Sequence, residues 1–498
     1  MPAQALAAVA TLLAFAPHDN RIEFLLDRGS AELVWIGPST FRFRRTLEGP
    51  LPAAARAERE RVPVEIDDTP GAVRLRTRFI EVAVQKHGLL VRVRRLDGEP
   101  LLADLSEPQA EGAGVAWERE APAGVRFYGL GPRADPAFDL RGKAVTTEVP
   151  FLLSTAGFAE YHAGGGEFRM DFTAADRYRI RAPRVDYFFY YGPAPKQIFE
   201  EHNAVRGPAR DWPAAAEGAG TWATLRTSLL RLVQGAMSAA FEPVFDLAPY
   251  ANAPPDLLRR ARQLGSLVPR VTAGTVGLSG FRGQLAGFFD IYDVEVRDRG
   301  HPVWHPLPFQ FPDDVECARH ADEFMLGDEM LIAPVYEPAN QRTLYLPQGM
   351  WTNLETNEVS PGKRSITVDS AALAVFARNG TIVPLNSGEA LGLHYFPRLA
   401  AEFFLLERDA GEYTQVHAAP AADIMRLEIE SQKERAYQWV VHHVEKPAEV
   451  GFEDRKYGQA EGLAALADGT WFYDAAQKNL HIRARVKAGE DCIINVAW

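Results

Sequence analysis

Short apolar runs that alternate with polar residues recur through roughly the first 200 residues of the chain. Gly, Pro and Asp divide them at short intervals, a rhythm typical of a β-sandwich. Arginines inside the runs fit the solvent face of an antiparallel sheet, where polar residues alternate with core residues. We therefore expect an all-β N-terminal region. Its runs include RIEFLL, AELVWI, TFRFRR, AVRLRT, FIEVAV and LLVRVRRL.

The C-terminal part of the chain has the same strand-like character. MLIAPV, from Met330 to Val335, closes around a proline, and a second Pro/Gly turn lies between Leu344 and Met350. Two runs separated in this way predict the first strands of a small β-domain. From Leu391 onwards further short runs surround turn residues, which predicts a second small sandwich that ends on IINVAW.

Composition narrows the classes of protein that fit. Of the 498 residues, 47% are hydrophobic and 24% charged, as in a globular protein with room for about three or four domains. The net charge of −12 argues against a nucleic-acid partner, because phosphate binding needs clustered Lys and Arg. Cys317 and Cys492 lie far apart, without metal-ligand spacing. The two cysteines therefore predict neither a disulfide framework nor a zinc site. They do not indicate whether the protein resides in a reducing or an oxidising compartment.

An apolar run of 12 residues, ALAAVATLLAFA, extends from Ala5 to Ala16. No Lys or Arg precedes this run, and it is too short to cross a bilayer, so we expect no membrane partner. The pattern favours a buried first strand or helix in a cytoplasmic protein. A signal peptide that is cleaved during export is the alternative.

Two C-terminal stretches contain distinctive sequence motifs. They are FQFPDDVECARHADEFMLGDEMLIAPVYEP, from Phe309 to Pro338, and TLYLPQGMWTNLETNE, from Thr343 to Glu358. They closely resemble the end of the catalytic barrel and the start of the C-terminal β-domain in glycoside hydrolase family 31, the α-glucosidase family. Words of that family's N-terminal domain also occur here in the same order. They are FYGLG (Phe127–Gly131), LRG (Leu140–Gly142), PFLLSTAGF (Pro150–Phe158), FRMDF (Phe168–Phe172) and VDYFFYYGPAPKQIFEEHNAVRG (Val185–Gly207).

The middle of the chain is too short for the barrel of that family. From Gly207 to Gly300 there are 94 residues, whereas an eight-unit barrel needs about 250. A single βαβ unit takes about 30, so the stretch has room for about three strand-helix units. Its first part, GPARDWPAAAEGAG from Gly207 to Gly220, favours a linker over a buried parallel strand. We therefore expect a truncated barrel.

The resemblance and the short middle together imply a multidomain, β-rich α+β protein. Residues 1–205 are expected to form an N-terminal mutarotase-like β-sandwich, and residues 206–325 a truncated (β/α)-barrel remnant. Residues 326–395 and 396–498 are expected to form two C-terminal β-sandwich domains, one proximal and one distal. Carbohydrate is the ligand that this family implies, and no cofactor or metal is expected.

Asp246 and Arg270 are the site residues that the resemblance implies. When the chain is aligned without gaps through Met237–Tyr250, Asp246 falls on the family's general acid/base aspartate, although DLAPY replaces the usual glycine pair. Arg270 falls on the family's substrate-binding arginine, but Thr272 stands where the family has a histidine. The family's sugar-binding loop is shortened to KAVTTEV, Lys143–Val149, without its Trp-Asn-x-Asp element.

No nucleophile accompanies Asp246 in the sequence. A retaining glycosidase needs two carboxylates about 5 to 5.5 Å apart. In family 31 the nucleophile is an aspartate in a Trp-x-Asp-Met-Asn-Glu-like word, which this sequence lacks. One acid alone typically contributes only about 10²–10⁴-fold. Structural roles are the alternative for both residues: Asp246 as a turn or cap residue before PPDLLRRARQL, and Arg270 as the partner of a surface carboxylate.

Two further clusters favour structural roles. The acidic residues of FFDIYDVEVRDRG are predicted to form the solvated face of a helix or strand that packs its aromatic residues inward. His301 and His305 flank PVW without a Cys, His or carboxylate at metal spacing, which argues against a zinc or iron site. The acidic residues are Asp290, Asp293, Glu295 and Asp298, and the aromatic residues are Phe288, Phe289 and Tyr292.

Two functions remain open at this point. The first is a family 31-like protein without catalysis, retained for carbohydrate binding or as a scaffold. Its copies could pair through the strand edges of the barrel remnant, because unpaired edges associate unless they are covered. The alternative is an active retaining α-glycosidase that hydrolyses O-glycosyl bonds, with Asp246 as acid/base and an unidentified nucleophile.

Overall fold

A computed structural model describes most of the chain. The described residues are 9–53, 60–207, 210–213, 219–239, 241–272, 274, 276–278, 280–369, 373–409, 411–452 and 455–498. The chain divides into two units. The first contains 1–133, 137–209 and 237–240, and the second contains 134–136, 210–236 and 241–498.

The first unit is built almost entirely of antiparallel strands. They form an eight-stranded sheet in the order β1-β2-β3-β4-β18-β15-β14-β12 and two five-stranded sheets, β5-β6-β7-β8-β9 and β10-β11-β17-β16-β13. The elements are β1 Leu12–His18, β2 Arg21–Leu26, β3 Ser30–Gly37, β4 Thr40–Arg45, β5 Glu65–Asp68, β6 Ala72–Arg76, β7 Ile80–Gln85, β8 Val91–Arg95, β9 Pro100–Ala103, β10 Gln109–Glu111, β11 Gly114–Glu120, β12 Phe127–Gly129, β13 Ala144–Thr147, β14 Phe151–Ser154, β15 Phe158–His162, β16 Phe168–Asp171, β17 Arg177–Ala182, β18 Val185–Tyr191 and α1 Pro195–Arg206.

One hydrophobic core joins the three sheets of this unit. Trp35 of the eight-stranded sheet, Val82 of the second sheet and Ile180 of the third belong to the same buried cluster. Alternate residues along each strand point inward, as the period of two requires. The predicted all-β, sandwich-like N-terminal region is therefore confirmed.

The first strand corrects one prediction. Leu12–His18 is a strand paired with β2, but Leu13 is 62% exposed, so the expected burial is wrong here. The reason is its position: β1 is the end strand of the eight-stranded sheet. The part of the predicted run from residue 5 to residue 8 lies outside the described residues.

A small parallel sheet occupies the middle of the chain, in the second unit. Three strands lie in the order β19-β20-β21, and each neighbouring pair is parallel. Arg210–Pro213 is one of them, so the linker prediction is wrong for these four residues. Strand pairing with β20 uses backbone hydrogen bonds, which side-chain composition does not reveal. Residues 214–218 lie outside the described residues. The elements are β19 Arg210–Pro213, α2 Trp222–Ala236, β20 Phe241–Asp246, α3 Pro255–Ser266, β21 Arg270–Thr272, α4 Phe281–Gln284 and α5 Ala286–Arg299.

Helix α5 carries the predicted acidic face. Phe288, Phe289 and Tyr292 are buried along it, whereas the Asp290 and Asp293 side chains are each more than two-fifths exposed. The Arg408 guanidinium, from the C-terminal part of the chain, lies 2.9 Å from the Asp290 carboxylate. The predicted structural role of this face is confirmed.

Four further sheets follow in the second unit. Their orders are β22-β23-β24-β29-β26-β27, β25-β28, β30-β31-β35-β40-β39-β38 and β32-β33-β34-β41-β36-β37. The elements are β22 Trp304–Pro306, α6 Leu307–Gln310, β23 Phe324–Leu326, β24 Met330–Ala333, β25 Gln341–Leu346, β26 Met350–Asn353, β27 Val359–Pro361, β28 Arg364–Asp369, β29 Ala374–Arg378, β30 Ile382–Ser387, β31 Ala390–Tyr395, β32 Ala401–Glu407, β33 Glu412–Pro420, β34 Ile424–Ser431, β35 Arg435–Val441, β36 Glu449–Phe452, β37 Arg455–Lys456, β38 Gly458–Gln459, β39 Thr470–Asp474, β40 Asn479–Val486 and β41 Glu490–Ala497.

These strands confirm that the C-terminal part is β-rich. Met330–Ala333 and Met350–Asn353 are strands as predicted, and a compact cluster around Trp351 and Phe376 forms their core. Cys317 and Cys492 are both buried, and no disulfide joins them. The division into four domains stays a prediction; β31 pairs with β35 across the predicted boundary at residue 395. Among the described residues, no helix is both long and apolar enough to cross a membrane.

Candidate functional site

Asp246 and Arg270 lie on neighbouring strands of the small parallel sheet. Asp246 pairs with Thr272, and Val244 pairs with Arg270, so the two predicted site residues are two register positions apart. Paired and alternate residues point to the same side of a sheet, which places Asp246 and Arg270 on one face. This face is half-buried to exposed, whereas Phe245, on the opposite face, is fully buried.

The local contacts of Asp246 are those of a turn. Its Oδ1 accepts a hydrogen bond from the backbone N–H of Ala248 at 3.0 Å. The N–H of Leu247 donates to the carbonyl of Thr272 at 2.8 Å. This bond extends the backbone hydrogen bonding between β20 and β21 by one residue beyond the end of β20. A short 3₁₀ turn, Ala248–Tyr250, follows. This is the Asx-turn geometry that aspartate commonly adopts at such positions.

The shortened loop of the first unit is partly a strand. Within Lys143–Val149, residues Ala144–Thr147 form β13 and pair with β16. The Lys143 N–H donates to the carbonyl of Leu140 at 3.0 Å, which closes the preceding turn. The segment that replaces the expected sugar-binding loop is therefore bound to a sheet by its own backbone.

The two histidines at residues 301 and 305 each lie near a carboxylate. His301 Nδ1 is 3.3 Å from Glu295 Oε2, and His305 Nδ1 is 3.2 Å from Asp328 Oδ1. The hydrogen bond with His301 lowers the pKa of Glu295. Desolvation, the next largest effect, acts in the opposite direction. Glu295 also lies 3.6 Å from Arg299, and His305 Nδ1 also lies 3.1 Å from Gln310 Oε1, so both histidines belong to local contact networks typical of a structural role.

Sequence reasoning missed a group with metal-like spacing, His320, Asp322 and Glu323. Within the described part of the chain their ligand atoms all lie within 4.8 Å of one another. Arg342 Nη2 lies 2.7 Å from Asp322 Oδ2 and 3.8 Å from Glu323 Oε1. The N–H of Tyr345 donates to both carboxylate oxygens of Glu323 at 3.0 Å. A guanidinium therefore already supplies the positive charge that a cation would bring.

A second feature that the sequence did not indicate is a cleft of about 740 Å³ in the second unit, here called the C-terminal cleft. It lies among the turns that follow β25, β27, β29 and β31. The Phe311 ring and several turn glycines line it, and no Asp or Glu does so among the described residues. Its main polar side chains are Gln348, Lys363, Arg378, Asn379, Thr381 and Arg398.

The sequence of the C-terminal half matches a known family. Residues 300–383 match the family model "Glycosyl hydrolase family 31 C-terminal domain". The α-glucosidase of Saccharolobus solfataricus is 36% identical over 98 residues, which cover 20% of this chain and 14% of that enzyme. The aligned part is thus a small fraction of the relative's length. The stretch from residue 300 to residue 383 is thus similar to the C-terminal domain of glycoside hydrolase family 31.

Solved structures resemble the chain over nearly its whole length. The family 31 dextranase of Flavobacterium johnsoniae, complexed with isomaltotriose, gives a TM-score of 0.81 at 13% identity and covers 99% of this chain and 100% of its own. The cycloalternan-forming enzyme of Listeria monocytogenes, with a pentasaccharide substrate, gives 0.83 at 13% identity and covers 98% and 77%. At this identity the likeness establishes the β-rich multidomain fold and nothing finer.

Proposed function

We propose that this protein is a family 31 member without glycosidase activity, retained for carbohydrate binding or as a scaffold. The observation that carries the proposal is the small parallel sheet: its three strands are those of the described residues within a stretch of 94, whereas the family's barrel would need eight. In this interpretation the sheet is the truncated barrel remnant. The strands that would present a nucleophile opposite Asp246 have no counterpart in the described sheet.

The environment of Asp246 supports this proposal. One of its carboxylate oxygens accepts a backbone hydrogen bond within its own turn, a contact that stabilises the local structure whether or not a substrate is present. A lone acid would supply only about 10²–10⁴-fold, and the covalent route of a retaining enzyme needs a second carboxylate. Asp246 is therefore proposed as an inherited turn residue.

Carbohydrate is the proposed ligand class. The dextranase of Flavobacterium johnsoniae and the cycloalternan-forming enzyme of Listeria monocytogenes are described with bound saccharides, and both share this fold. Retention of a β-rich shell around a lost active site would keep saccharide-binding surfaces that do not depend on the barrel.

An active retaining α-glycosidase is the second candidate. The name of the relative from Saccharolobus solfataricus favours it, as does the position of Asp246 at the carboxyl end of a parallel strand. Here Asp246 acts as acid/base and Arg270, on the same sheet face, contacts the substrate. A nucleophile from outside the family's usual word is then required.

Turnover of aryl α- and β-glycosides and maltose separates the two candidates. We expect the purified chain to give no turnover above background and Asp246→Asn to leave that result unchanged. Asp256→Asn is the matched control, because Asp256 is an exposed acid in the next helix of the same segment. Turnover that is lost in Asp246→Asn and kept in Asp256→Asn would establish the glycosidase instead.

A further inference from the structure

Three cations converge on the C-terminal cleft from separate turns. Lys363 follows β27, Arg378 ends β29, and Arg398 lies in the segment after β31. With no acidic residue in the described lining, the cleft carries three positive charges on a chain whose net charge is −12. A cleft of one sign focuses the field and raises the local concentration of oppositely charged ligands.

These three side chains have no ion-pairing or hydrogen-bonding partner among the described residues. In the described part of the chain, Lys363, Arg378 and Arg398 form neither an ion pair nor a side-chain hydrogen bond. Arginines at a cleft of about 330 Å³ in the first unit differ in this respect, because Arg44 pairs with Glu32 at 2.8 Å and Arg45 with Glu107 at 2.9 Å. Paired cations serve the fold, whereas the unpaired ones of the C-terminal cleft remain available to a ligand.

The protein holds Arg378 and the turn of Lys363 in place without neutralising them. The Arg378 guanidinium lies over the ring of Phe311, 5.4 Å from its centre, a cation–π contact that orients the charge. Lys363 adopts φ +57°, and its N–H donates to the Leu346 carbonyl at 2.7 Å. Left-handed backbone is strained in a non-glycine residue. Strain of this kind tends to occur at functional sites.

The neighbouring turns are fixed as well. A Cβ on Gly362 would lie 1.8 Å from the Pro347 carbonyl oxygen, so only glycine allows this approach. The Tyr395 hydroxyl donates to the Leu399 carbonyl at 2.7 Å, which anchors the segment that carries Arg398. The cleft is therefore preorganised by hydrogen bonds and close packing, which lowers the entropic cost of binding.

We infer that the C-terminal cleft binds an anionic saccharide, one that carries carboxylate, sulfate or phosphate groups. Guanidinium and ammonium groups recognise these anions by charge-assisted hydrogen bonds. Gln348, Asn379 and Thr381 add amide and hydroxyl groups that suit sugar hydroxyls. The volume lies within the range of about 300–1,000 Å³ found for small-molecule sites. The anionic part of the inference stands on the cleft alone, and the saccharide part rests on the proposed function.

Calorimetric titration of the purified full chain tests the inference with three probes: trigalacturonate, neutral isomaltotriose and inorganic phosphate. We expect trigalacturonate to bind more tightly than either of the others, and its affinity to fall as salt screens the charges. Lys363→Gln, Arg378→Gln and Arg398→Gln should each weaken it by about tenfold or more, since each removes a charge-assisted contact. Lys363→Glu should abolish binding.

Lys487→Gln is the matched control, because it removes an exposed cation outside the cleft and should leave the affinity unchanged. Thermal melts of each variant check that it folds. Absence of trigalacturonate binding, or binding that the cleft variants do not weaken, would overturn the site. Phosphate binding at equal affinity would overturn the saccharide part. Neither result depends on turnover, so failure here is distinguishable from failure of the proposed function.

Discussion

At the scale of single residues, Glu329 is an acid whose environment changes its chemistry. Its Oε2 accepts hydrogen bonds from the Tyr292 hydroxyl at 2.7 Å and from the Asp328 N–H at 3.0 Å. Burial, followed by the neighbouring charge of Asp328, raises the pKa of Glu329 from 4.5 to about 8. The folded protein therefore keeps this carboxyl protonated at neutral pH, with His305 paired to Asp328 nearby.

This shift predicts a pH-dependent stability. A carboxyl whose folded pKa exceeds its unfolded pKa favours folding below about pH 4.5 and loses that contribution as pH rises towards 8. Glu329→Gln keeps both acceptor contacts and cannot ionise. We expect the free energy of unfolding of the variant to rise relative to the wild type between pH 5 and pH 8, by up to about 1.4 kcal/mol per pH unit, and its relative melting temperature to rise with it.

The control for this experiment is Glu358→Gln, at an exposed position of the same unit. Differential scanning fluorimetry at several pH values measures all three proteins. A melting difference between wild type and Glu329→Gln that stays constant with pH would contradict the assigned ionisation.

Residue-scale predictions succeeded where a side chain depends on its own strand. Arg74 and Arg92 are exposed, as the alternation of their strands predicts. The prediction is wrong for Arg44 and Arg45, which are 7% and 5% exposed. Their partners, Glu32 and Glu107, lie 12 and 62 residues away, so no local pattern could indicate that the charges are buried in pairs.

At the scale of elements, strands and helices with strong periodicity were predictable. PPDLLRRARQL is helical within Pro255–Ser266. The acidic stretch, for which the sequence left helix or strand open, is helix α5. Arg210–Pro213 was missed because four residues in an Ala/Gly/Pro-rich context carry no periodicity. This strand forms by pairing in parallel with β20, about 30 residues further along the chain, and local sequence does not indicate such a long-range contact.

The ends of the small parallel sheet lead to an element-scale prediction. In the described sheet, β19 and β21 are the two end strands, each with one neighbouring strand. Unpaired edges associate unless covered, and symmetric dimers are the commonest outcome. We expect light scattering to give roughly twice the mass of one chain, in a concentration-dependent manner. A monomer at every concentration would refute edge pairing.

At the scale of the whole molecule, the resemblance to family 31 and the β-rich architecture could be predicted because characteristic sequence motifs occur towards both ends of the chain. The family-model match at residues 300–383 supports the C-terminal part of that resemblance. The C-terminal cleft could not be predicted. Lys363, Arg378 and Arg398 belong to three different turns, and only the sheet order brings them together. The roles of Asp246 and Arg270 stay predictions. Both residues lie on one face of the sheet, as a binding site would require, but the hydrogen bond of Asp246 is also that of an ordinary turn.

The most direct test of the account is a calorimetric record of binding and turnover together, with isomaltotriose and trigalacturonate injected separately into the purified chain. If the protein binds carbohydrate without cleaving it, we expect a saturating isotherm with at least one saccharide. The heat signal should then return to a flat baseline, because the bound sugar is not hydrolysed. A steady heat rate that scales with enzyme concentration, with either saccharide, would mean hydrolysis and would contradict it. Absence of binding heat with both would contradict the carbohydrate-binding role and leave the scaffold role.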